Sequence, residues 1–345
     1  MLTINGKIMR KKTLIKLLLL LVSFVYLAGE LIAEEPNVYF TIKGRKISIV
    51  IGQDINLYGL YISNSSGTFD RVGWKNAFLN HIAIDKTSDG KNIFLACGNG
   101  VMRSTDYGQN WKILTSWELT EALKVVIDPN NPKTIYTATA YGIWKTTDFG
   151  ETWNKKNNGL KLVSQTYTSA ITILPSNPNV VFVGTADGIL VSRDGAESWQ
   201  ETGLQGKEIH DIQIAPYDEN IIIAATDDHG IYITKDGGKV WTQITMGLYA
   251  RTFYTVAFHP TEKGTIYCGG LKCGIAKSTN FGEKWDIFDN EVFNQDVSCI
   301  KIYDKNPDII FIGGIEYGFW RSDDGGKTFK CIAECDGRVQ DIFIY

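Results

Sequence analysis

Carboxylates between the apolar runs of the chain are the residues best suited to do chemistry. They are Glu118, Asp187, Asp227, Asp228, Asp296 and Glu316. Two carboxyl groups roughly 5 to 10 Å apart can hydrolyse a glycosidic bond, one as the acid and the other as the base or nucleophile. His210 and His229 are close to some of these groups in sequence, but no nucleophile occupies a recognisable elbow. We therefore predict no catalytic residue and keep glycoside hydrolysis as the alternative function.

The bulk composition is that of a globular protein with a sizeable core. The chain has 345 residues, 44% of them hydrophobic and 12% aromatic, and its formal net charge is −3. This near-neutral balance disfavours nucleic acid as a partner, because nucleic-acid binding usually needs a basic face. The chain has only four histidines, and no paired C-x-x-C spacing accompanies them. We expect no metal site and no cofactor.

The N-terminus has the layout of a secretory signal peptide. A basic start, Met9–Lys12, precedes the apolar run Leu17–Ala28, and Ala33 stands before an acidic pair. We predict cleavage after Ala33, so that residues 1–33 are the signal peptide and residues 34–345 the mature domain. An uncleaved membrane anchor is the alternative, and it would be the protein's only membrane contact. The domain is expected to be exported, whether periplasmic, cell-surface or secreted.

Six cysteines in an exported chain raise the question of disulfides. Cys268 and Cys273 flank a short turn, and Cys331 and Cys335 are four residues apart. The other two cysteines have no obvious partner. These spacings predict either local disulfides or buried free thiols.

An eight-residue string recurs six times along the chain. The copy at Thr146–Trp153 reads TTDFGETW, with an aspartate at the third position, a glycine at the fifth and an aromatic ring at the last. The third positions of the six copies are Asp106, Asp148, Asp194, Asp236, Asn280 and Asp324. A string that returns every 42 to 46 residues is not a single active site. Its period is that of a propeller blade.

Short strands fill the intervals between the copies. Before the fourth copy the sequence reads IHDIQIAP, NIIIAATDD and GIYITKD, and WTQI follows it. Each run is rich in β-branched residues and bounded by turn residues, as expected of a strand. Four antiparallel strands per repeat predict an all-β propeller.

The repeated string is predicted to form the turn between the third and fourth strands of each blade. Its Ser or Thr and Asp side chains can satisfy N–H groups of the turn, and its glycine supplies positive φ. The terminal ring then begins the last strand and buries itself beside the turn. Ala196 and Asn280 depart from the pattern, which a structural turn tolerates better than a catalytic site does. We predict that the six Asp and Asn residues are structural.

This pattern, S/T-x-D-x-G-x-S/T-W/F, resembles the Asp-box of BNR-repeat proteins, over about residues 40–345. The resemblance implies a propeller of six or seven blades, as in sialidases, xyloglucanases, the sortilin receptor domain and a photosystem II assembly factor of the Ycf48 type. Because these proteins differ in chemistry, it does not imply one function. The chain lacks the arginine cluster and the Arg-Ile-Pro stretch that a sialidase would need. Xyloglucanases place their cleft between two propellers, whereas this sequence suffices for one.

The two ends of the chain predict a seventh blade. Ser63–Phe69 reads SNSSGTF, a degenerate Asp-box that is one residue short. Val339–Tyr345 matches the first strand of a blade, and we predict that it completes the N-terminal blade beside Lys46–Gly52. Val38–Lys43 is then an extra strand or a rival for the same place. Such closure leaves the ring without open edges.

Function is predicted to lie on the face opposite the Asp-box turns, where loops are free to vary. Aromatic rings with scattered polar groups suit recognition of a protein or a glycan outside the cytoplasm. The predicted ligand-binding residues are Trp117, Glu118, Tyr141, Tyr167, Asp187, Asp227, Tyr249, Arg251, Tyr254, Glu316 and Tyr317. The predicted function is that of a non-catalytic binding or assembly module.

Overall fold

The computed structural model describes residues 35–43, 58–74, 77–288, 292, 294–315, 318–333 and 337–345, together with the backbone of two short N-terminal strands. These strands, β1 (Thr3–Ile4) and β2 (Lys7–Ile8), pair as an antiparallel hairpin within a unit of residues Met1–Pro36. A second unit spans Asn37–Tyr345. Along the described residues, no helix combines the length and apolar character needed to cross a membrane. The predicted cleavage site lies outside the described residues.

The second unit consists of seven antiparallel sheets with four strands each. Two 3-10 helices, Lys86–Ser88 and Val163–Thr166, lie in connections between strands. The strands are β3 (Val38–Lys43), β4 (Gly59–Ser63), β5 (Phe69–Val72), β6 (Leu79–Ile84), β7 (Ile93–Cys97), β8 (Gly100–Ser104), β9 (Lys112–Ile113), β10 (Ala122–Ile127), β11 (Ile135–Thr139), β12 (Gly142–Thr146), β13 (Asn154–Lys155), β14 (Thr168–Ile173), β15 (Val181–Thr185), β16 (Gly188–Ser192), β17 (Gln200–Gly203), β18 (Ile209–Ala215), β19 (Asp218–Thr226), β20 (Ile231–Thr234), β21 (Thr242–Gln243), β22 (Phe253–Phe258), β23 (Ile266–Gly270), β24 (Ile275–Ser278), β25 (Asp286–Ile287), β26 (Val297–Ile302), β27 (Ile310–Gly314), β28 (Phe319–Ser322), β29 (Lys330–Ala333) and β30 (Arg338–Ile344).

Each sheet is one blade, and its strands follow one another in space. Blade 1 has the order β30-β3-β4-β5, and blades 2 to 7 are β6–β9, β10–β13, β14–β17, β18–β21, β22–β25 and β26–β29. The first strands of adjacent blades contact one another around the whole ring, from β6 through β26 and β30 back to β6. The chain is therefore an all-β, seven-bladed propeller closed by its C-terminal strand, as the sequence predicted.

The strand that receives the C-terminal strand is Val38–Lys43. The prediction that Lys46–Gly52 fills this place is wrong, and that segment lies outside the described residues. Five of the six residues of β3 are buried, and β3 pairs with β30 from its first residue, opposite Ile344. Phe40 stacks on Phe319 of blade 7, with ring centroids 4.3 Å apart. Both candidate segments have strand-like sequences, so packing against the neighbouring blade decides between them.

The core lies between the blades. The second strand is buried at every residue in blades 2, 3, 4, 6 and 7, because both of its faces pack against neighbouring sheets. The apolar clusters accordingly join adjacent blades. In one of them Ile223 of blade 5 packs with Phe253 and Val256 of blade 6.

Free thiols are found at both buried and partly buried cysteines in the structure. Cys97, Cys268 and Cys299 are buried, and Cys273 is partly buried. Burial raises the pKa of Cys273 and of Cys299 to about 12, so both thiols are protonated near neutral pH. Cys335 lies outside the described residues.

The Asp-box strings form the turns between the third and fourth strands of blades 2 to 7. In blade 3, the Thr146 hydroxyl donates to Asp148 Oδ1 (2.7 Å) and accepts from the N–H of Gly150 (3.0 Å). Asp148 Oδ1 also accepts from the N–H of Thr152 at 2.9 Å. The same three bonds recur in the other five copies. The acceptor groups of each string are thus directed at its own backbone.

Candidate functional site

The strand order divides the ring into two faces. Because the strands of a blade are antiparallel, the turn between the first and second strands and the Asp-box turn lie at one end. The turns between second and third strands and the connections to the next blade lie at the other end, which we call the loop face. Backbone hydrogen bonds join these two kinds of segment, as between Gly230 N–H and Arg251 C=O at 2.8 Å and between Asp227 N–H and Glu208 C=O at 2.9 Å.

Exposed apolar side chains are concentrated on the loop face. Among the described residues, twelve large apolar side chains are exposed, and ten of them belong to loop-face segments. The ten are Trp74, Phe78, Trp117, Tyr141, Leu162, Val163, Tyr167, Met246, Tyr249 and Leu271. The other two, Tyr107 and Val240, lie in Asp-box turns. Such an asymmetry is typical of a recognition surface.

Five of the predicted ligand-binding residues project from the loop face. Tyr249 is 94% exposed and Trp117 is 84% exposed, and Glu118 beside Trp117 is exposed as well. Tyr141 and Tyr167 are about half exposed. These side chains come from the connections after blades 2, 3 and 5 and from a turn within blade 3, so they are spread over the face.

Blade 5 and the connection that follows it hold a second group of predicted residues in mutual contact. Asp227 Oδ1 accepts from the Thr252 hydroxyl at 2.9 Å and lies 3.7 Å from His210 Nε2. Arg251 Nε lies 3.0 Å from Asp228 Oδ1. Each carboxylate therefore has a partner within blade 5 or the connection that follows it.

The remaining predicted residues lie apart from this group. Asp187 Oδ1 accepts from the N–H of Gly206 at 2.8 Å and so braces a turn of blade 4. Tyr254 lies at the axis of the ring, not at its rim. Glu316 and Tyr317 lie outside the described residues. Within the described part of the chain, no group of three or more His, Cys, Asp or Glu side chains could hold a metal ion.

A cavity of about 740 Å³ follows the axis of the ring. We call it the channel. The first strands of all seven blades line it, with His210 and Tyr254 near the loop face and Asp85 and Asp128 near the Asp-box face. Polar side chains of these strands also join each blade to the next. Asn80 donates to the C=O of Ala122 at 2.7 Å.

Two pairs of titratable side chains lie inside the channel. Lys124 Nζ of blade 3 contacts Asp211 Oδ1 of blade 5 at 2.9 Å, and the matching position of blade 4 is the small residue Ala170. His81 Nε2 lies 3.4 Å from Asp341 Oδ2. Burial lowers the pKa of His81 to about 4, although Asp341 acts in the opposite direction. The imidazole is therefore neutral near pH 7.

Sequence reasoning gave these channel residues no role. His81, Lys124, Asp211 and Asp341 occupy the same position, just after a bulge, in the first strands of four blades. In blade 4, whose first strand is Thr168–Ile173, that position is alanine. The available signal was a polar residue at one fixed position of the first strand. This signal becomes visible only when the first strands of the blades are aligned with one another.

Comparison with known proteins places this fold among related propellers. The sequence matches the family described as sortilin, neurotensin receptor 3, over residues 187–312, which span parts of four blades. No curated protein matches it. The structure is similar to a GH74 enzyme of Niastella koreensis, with a TM-score of 0.71 and 15% identity over 86% of this chain and 52% of that one.

Two further solved structures share the architecture. The GH74 xyloglucanase of Xanthomonas campestris has a TM-score of 0.68 and 12% identity, over 81% of this chain and 52% of the enzyme. YCF48 bound to D1 peptide has a TM-score of 0.57 and 17% identity, over 74% of this chain and 82% of that one. This chain thus spans about half the length of the two GH74 enzymes. It is a seven-bladed β-propeller similar to the sortilin, xyloglucanase and YCF48 propellers, which are the relatives that the sequence resemblance predicted.

Proposed function

We propose that this protein is an exported, non-catalytic module that binds another protein through its loop face. The observation that carries the proposal is the distribution of exposed apolar side chains, ten of twelve on that face. Exposed rings and a methionine are enriched where proteins meet. Export is supported by the basic and apolar layout of residues 9–33.

The kinds of side chain favour a protein partner over a glycan. Leu162, Val163 and Met246 are exposed among the rings. Aliphatic side chains gain from contact with another apolar surface, whereas sugars are held mainly by ring stacking and polar groups. YCF48, a propeller of similar fold, has been solved with a peptide bound, which supports the same class of ligand here.

A capture experiment with the purified mature protein tests the proposal. Envelope extract is passed over wild type, over Tyr249→Ala/Arg251→Ala, and over the control Tyr107→Ala/Val240→Ala, whose apolar side chains are exposed on the Asp-box face. We expect the wild type and the control to retain the same partner. The loop-face variant should retain at least about tenfold less of it, because a few aromatic and arginine side chains dominate the binding energy of protein interfaces. Melting temperatures should be equal. Loss of capture in the control alone would overturn the proposal.

Glycoside hydrolysis is the second candidate, favoured by the likeness to two GH74 enzymes. A screen of xyloglucan, other β-glucans and sialosides with the wild type decides it. Cleavage that Asp227→Asn or Glu316→Gln abolishes would establish the hydrolase and displace the binding module. If no substrate is cleaved, the binding module stands.

A further inference from the structure

Arg338 is a half-buried cation at the loop-face end of the channel, and none of the described carboxylates forms an ion pair with it. It begins β30, opposite Lys43 of β3, and its side chain lines the channel. Its guanidinium lies over the ring of Tyr254, 5.0 Å from the centroid, and the ring of His210 is 5.4 Å from that of Tyr254. The cation is thus placed against an aromatic ring.

Arg338 differs in this respect from other basic residues of the ring. Lys124, also in the channel, has the carboxylate of Asp211 at 2.9 Å, and Arg251 on the loop face has that of Asp228 at 3.0 Å. Among the described residues, no carboxylate lies within 4 Å of Arg338, and its buried Nε makes no hydrogen bond. A charge taken out of water without a partner is costly.

Two acidic groups among the described residues lie near the channel mouth, and neither forms an ion pair with Arg338. Asp296 Oδ1 accepts from the N–H of Lys272 at 2.7 Å, which holds that carboxylate in its own loop. Glu208 also lines the channel, where it acts on His210 and Tyr167. Burial lowers the pKa of Arg338, while Cys299, Tyr254 and Asp296 act in the opposite direction. Neither carboxylate lies within 4 Å of the guanidinium, so an added group with one negative charge would be its direct partner.

A second cation lies deeper in the channel and already has a partner. The Lys124–Asp211 pair joins blades 3 and 5 three residues further along the first strands, or about 10 Å deeper. The part of the channel between the loop face and this pair is where Arg338 can meet a side chain from another molecule. The mouth is also at the centre of the loop face, where the proposed protein partner would lie.

We propose that Arg338 binds one carboxylate of the partner, supplied by an aspartate or glutamate side chain that enters the channel mouth. The inference rests on the proposed function for the source of that side chain. The chemistry is specific, because a planar guanidinium can donate two parallel N–H bonds to a carboxylate while its face remains stacked on a ring.

Small capped amino acids test the site without a partner. The probe is N-acetyl-aspartate N-methylamide, its neutral control is the asparagine counterpart, and N-acetylalanine represents a chain terminus. Binding is followed by the Nε–H resonance of Arg338 in the full mature protein. We expect the aspartate probe alone to shift that resonance and to bind in a saturable way. Equal binding of the asparagine compound, or binding of N-acetylalanine only, would overturn the assignment to an acidic side chain.

Three variants separate binding from folding. Arg338→Gln should abolish binding of the aspartate probe, and Arg338→Lys should weaken it at least about tenfold, because an ammonium lacks the planar pair of donors. The control Arg193→Gln, exposed on the Asp-box side, should bind as the wild type does. Arg338→Gln should also melt no lower than the wild type, since it removes a half-buried charge that no described carboxylate pairs with. A large drop in its melting temperature would instead assign Arg338 a structural role.

The outcomes distinguish this inference from the proposed function. If the wild type captures a partner but binds no aspartate probe, the inference fails and the binding module stands. If the probe binds at Arg338 but loop-face variants retain the same proteins as the wild type, the carboxylate site stands and the proposed function fails.

Discussion

At the scale of single residues, the Asp-box turn depends on oxygen acceptors more than on charge or on glycine. Asn280 replaces the aspartate in blade 6 and still accepts the N–H four residues later at 2.9 Å. Ala196 replaces the glycine in blade 4 and adopts a φ of 71°. In the shorter turn of blade 1, Asn64 Oδ1 accepts from the N–H groups of Ser66 and Thr68, both at 3.1 Å. A turn that keeps its acceptor therefore keeps its shape.

Removal of that acceptor should destabilise the protein without affecting the loop face. We expect Asp148→Ala to lower the free energy of unfolding by about 1 kcal/mol, because the Thr152 N–H and the Thr146 hydroxyl lose their partner. Asp148→Asn retains the oxygen, as Asn280 does, and should cost clearly less. Denaturant unfolding of both variants measures the difference. Unchanged stability of Asp148→Ala together with lost partner capture would contradict the structural interpretation of the motif.

The same hydrogen bonds determine the pH range in which Asp148 stabilises the turn. Hydrogen bonds from Thr146 and Thr152 lower the pKa of Asp148 to about 2, below its unfolded value near 3.9. The stabilisation from this carboxylate is complete above the pKa of the unfolded chain and is lost as the pH falls through the pKa of the folded protein. The turns are therefore insensitive to pH across the neutral range.

At the scale of elements, closure of the ring is the decisive contact. Strand β3 lies between the C-terminal strand and β4, and thus joins the two ends of the chain in one sheet. Phe40 in the middle of β3 packs edge-on against Phe69 and stacks on Phe319. The aromatic contacts fix which N-terminal segment enters the blade.

Truncation of Phe40 tests this assignment. Phe40 is 1% exposed, and we expect Phe40→Ala to lower the free energy of unfolding by about 3 to 5 kcal/mol, because a large cavity remains between blades 1 and 7. Ile49→Ala, in the segment that the sequence favoured for this place, is the matched comparison. Chemical denaturation should show a much smaller change for Ile49→Ala. Equal losses would argue that both segments contribute to the blade.

At the scale of the whole molecule, the channel is where distant parts of the chain meet. Asp211 accepts from Lys124, 87 residues away, and Asp341 accepts from the N–H of Ile82, 259 residues away. His81 lies between these groups, and Lys301 also acts on it. A proton added here affects the contacts of several blades at once.

Stability should therefore depend on pH through the channel histidine. Burial lowers the pKa of His81 to about 4 in the folded protein, against about 6.5 in the unfolded chain. Between these values the unfolded chain binds a proton that the folded one does not, so the free energy of unfolding falls as pH drops from about 6.5 to about 4. The loss from this group is at most about 3 kcal/mol.

His81→Asn should flatten that dependence, measured as the denaturation midpoint at several pH values. His210 and His259, whose pKa values burial also lowers, act in the same direction and leave part of the slope. His229 is exposed, so His229→Asn is the control and should keep the full slope. A His81 variant with the wild-type slope would show that the imidazole is not the responsible group.

The sequence by itself determined the propeller, its seven blades and the position of the Asp-box turns. These features depend on contacts within about one repeat, such as Thr146 with Asp148 and Thr152, so a local pattern is enough to specify them. The sequence also indicated that loops such as those of Trp117 and Tyr249 would be exposed, because the turn signals separate them from the strands.

Only the tertiary structure decided which strand closes the ring and what lines the channel. Val38–Lys43 and Lys46–Gly52 both have strand-like sequences, and the choice depends on Phe319, which is far away in the chain. Likewise, Arg338 is one of several arginines in the sequence. That no described carboxylate pairs with it follows from which side chains of other blades reach it, and the closure of the ring, not any local pattern, fixes that arrangement.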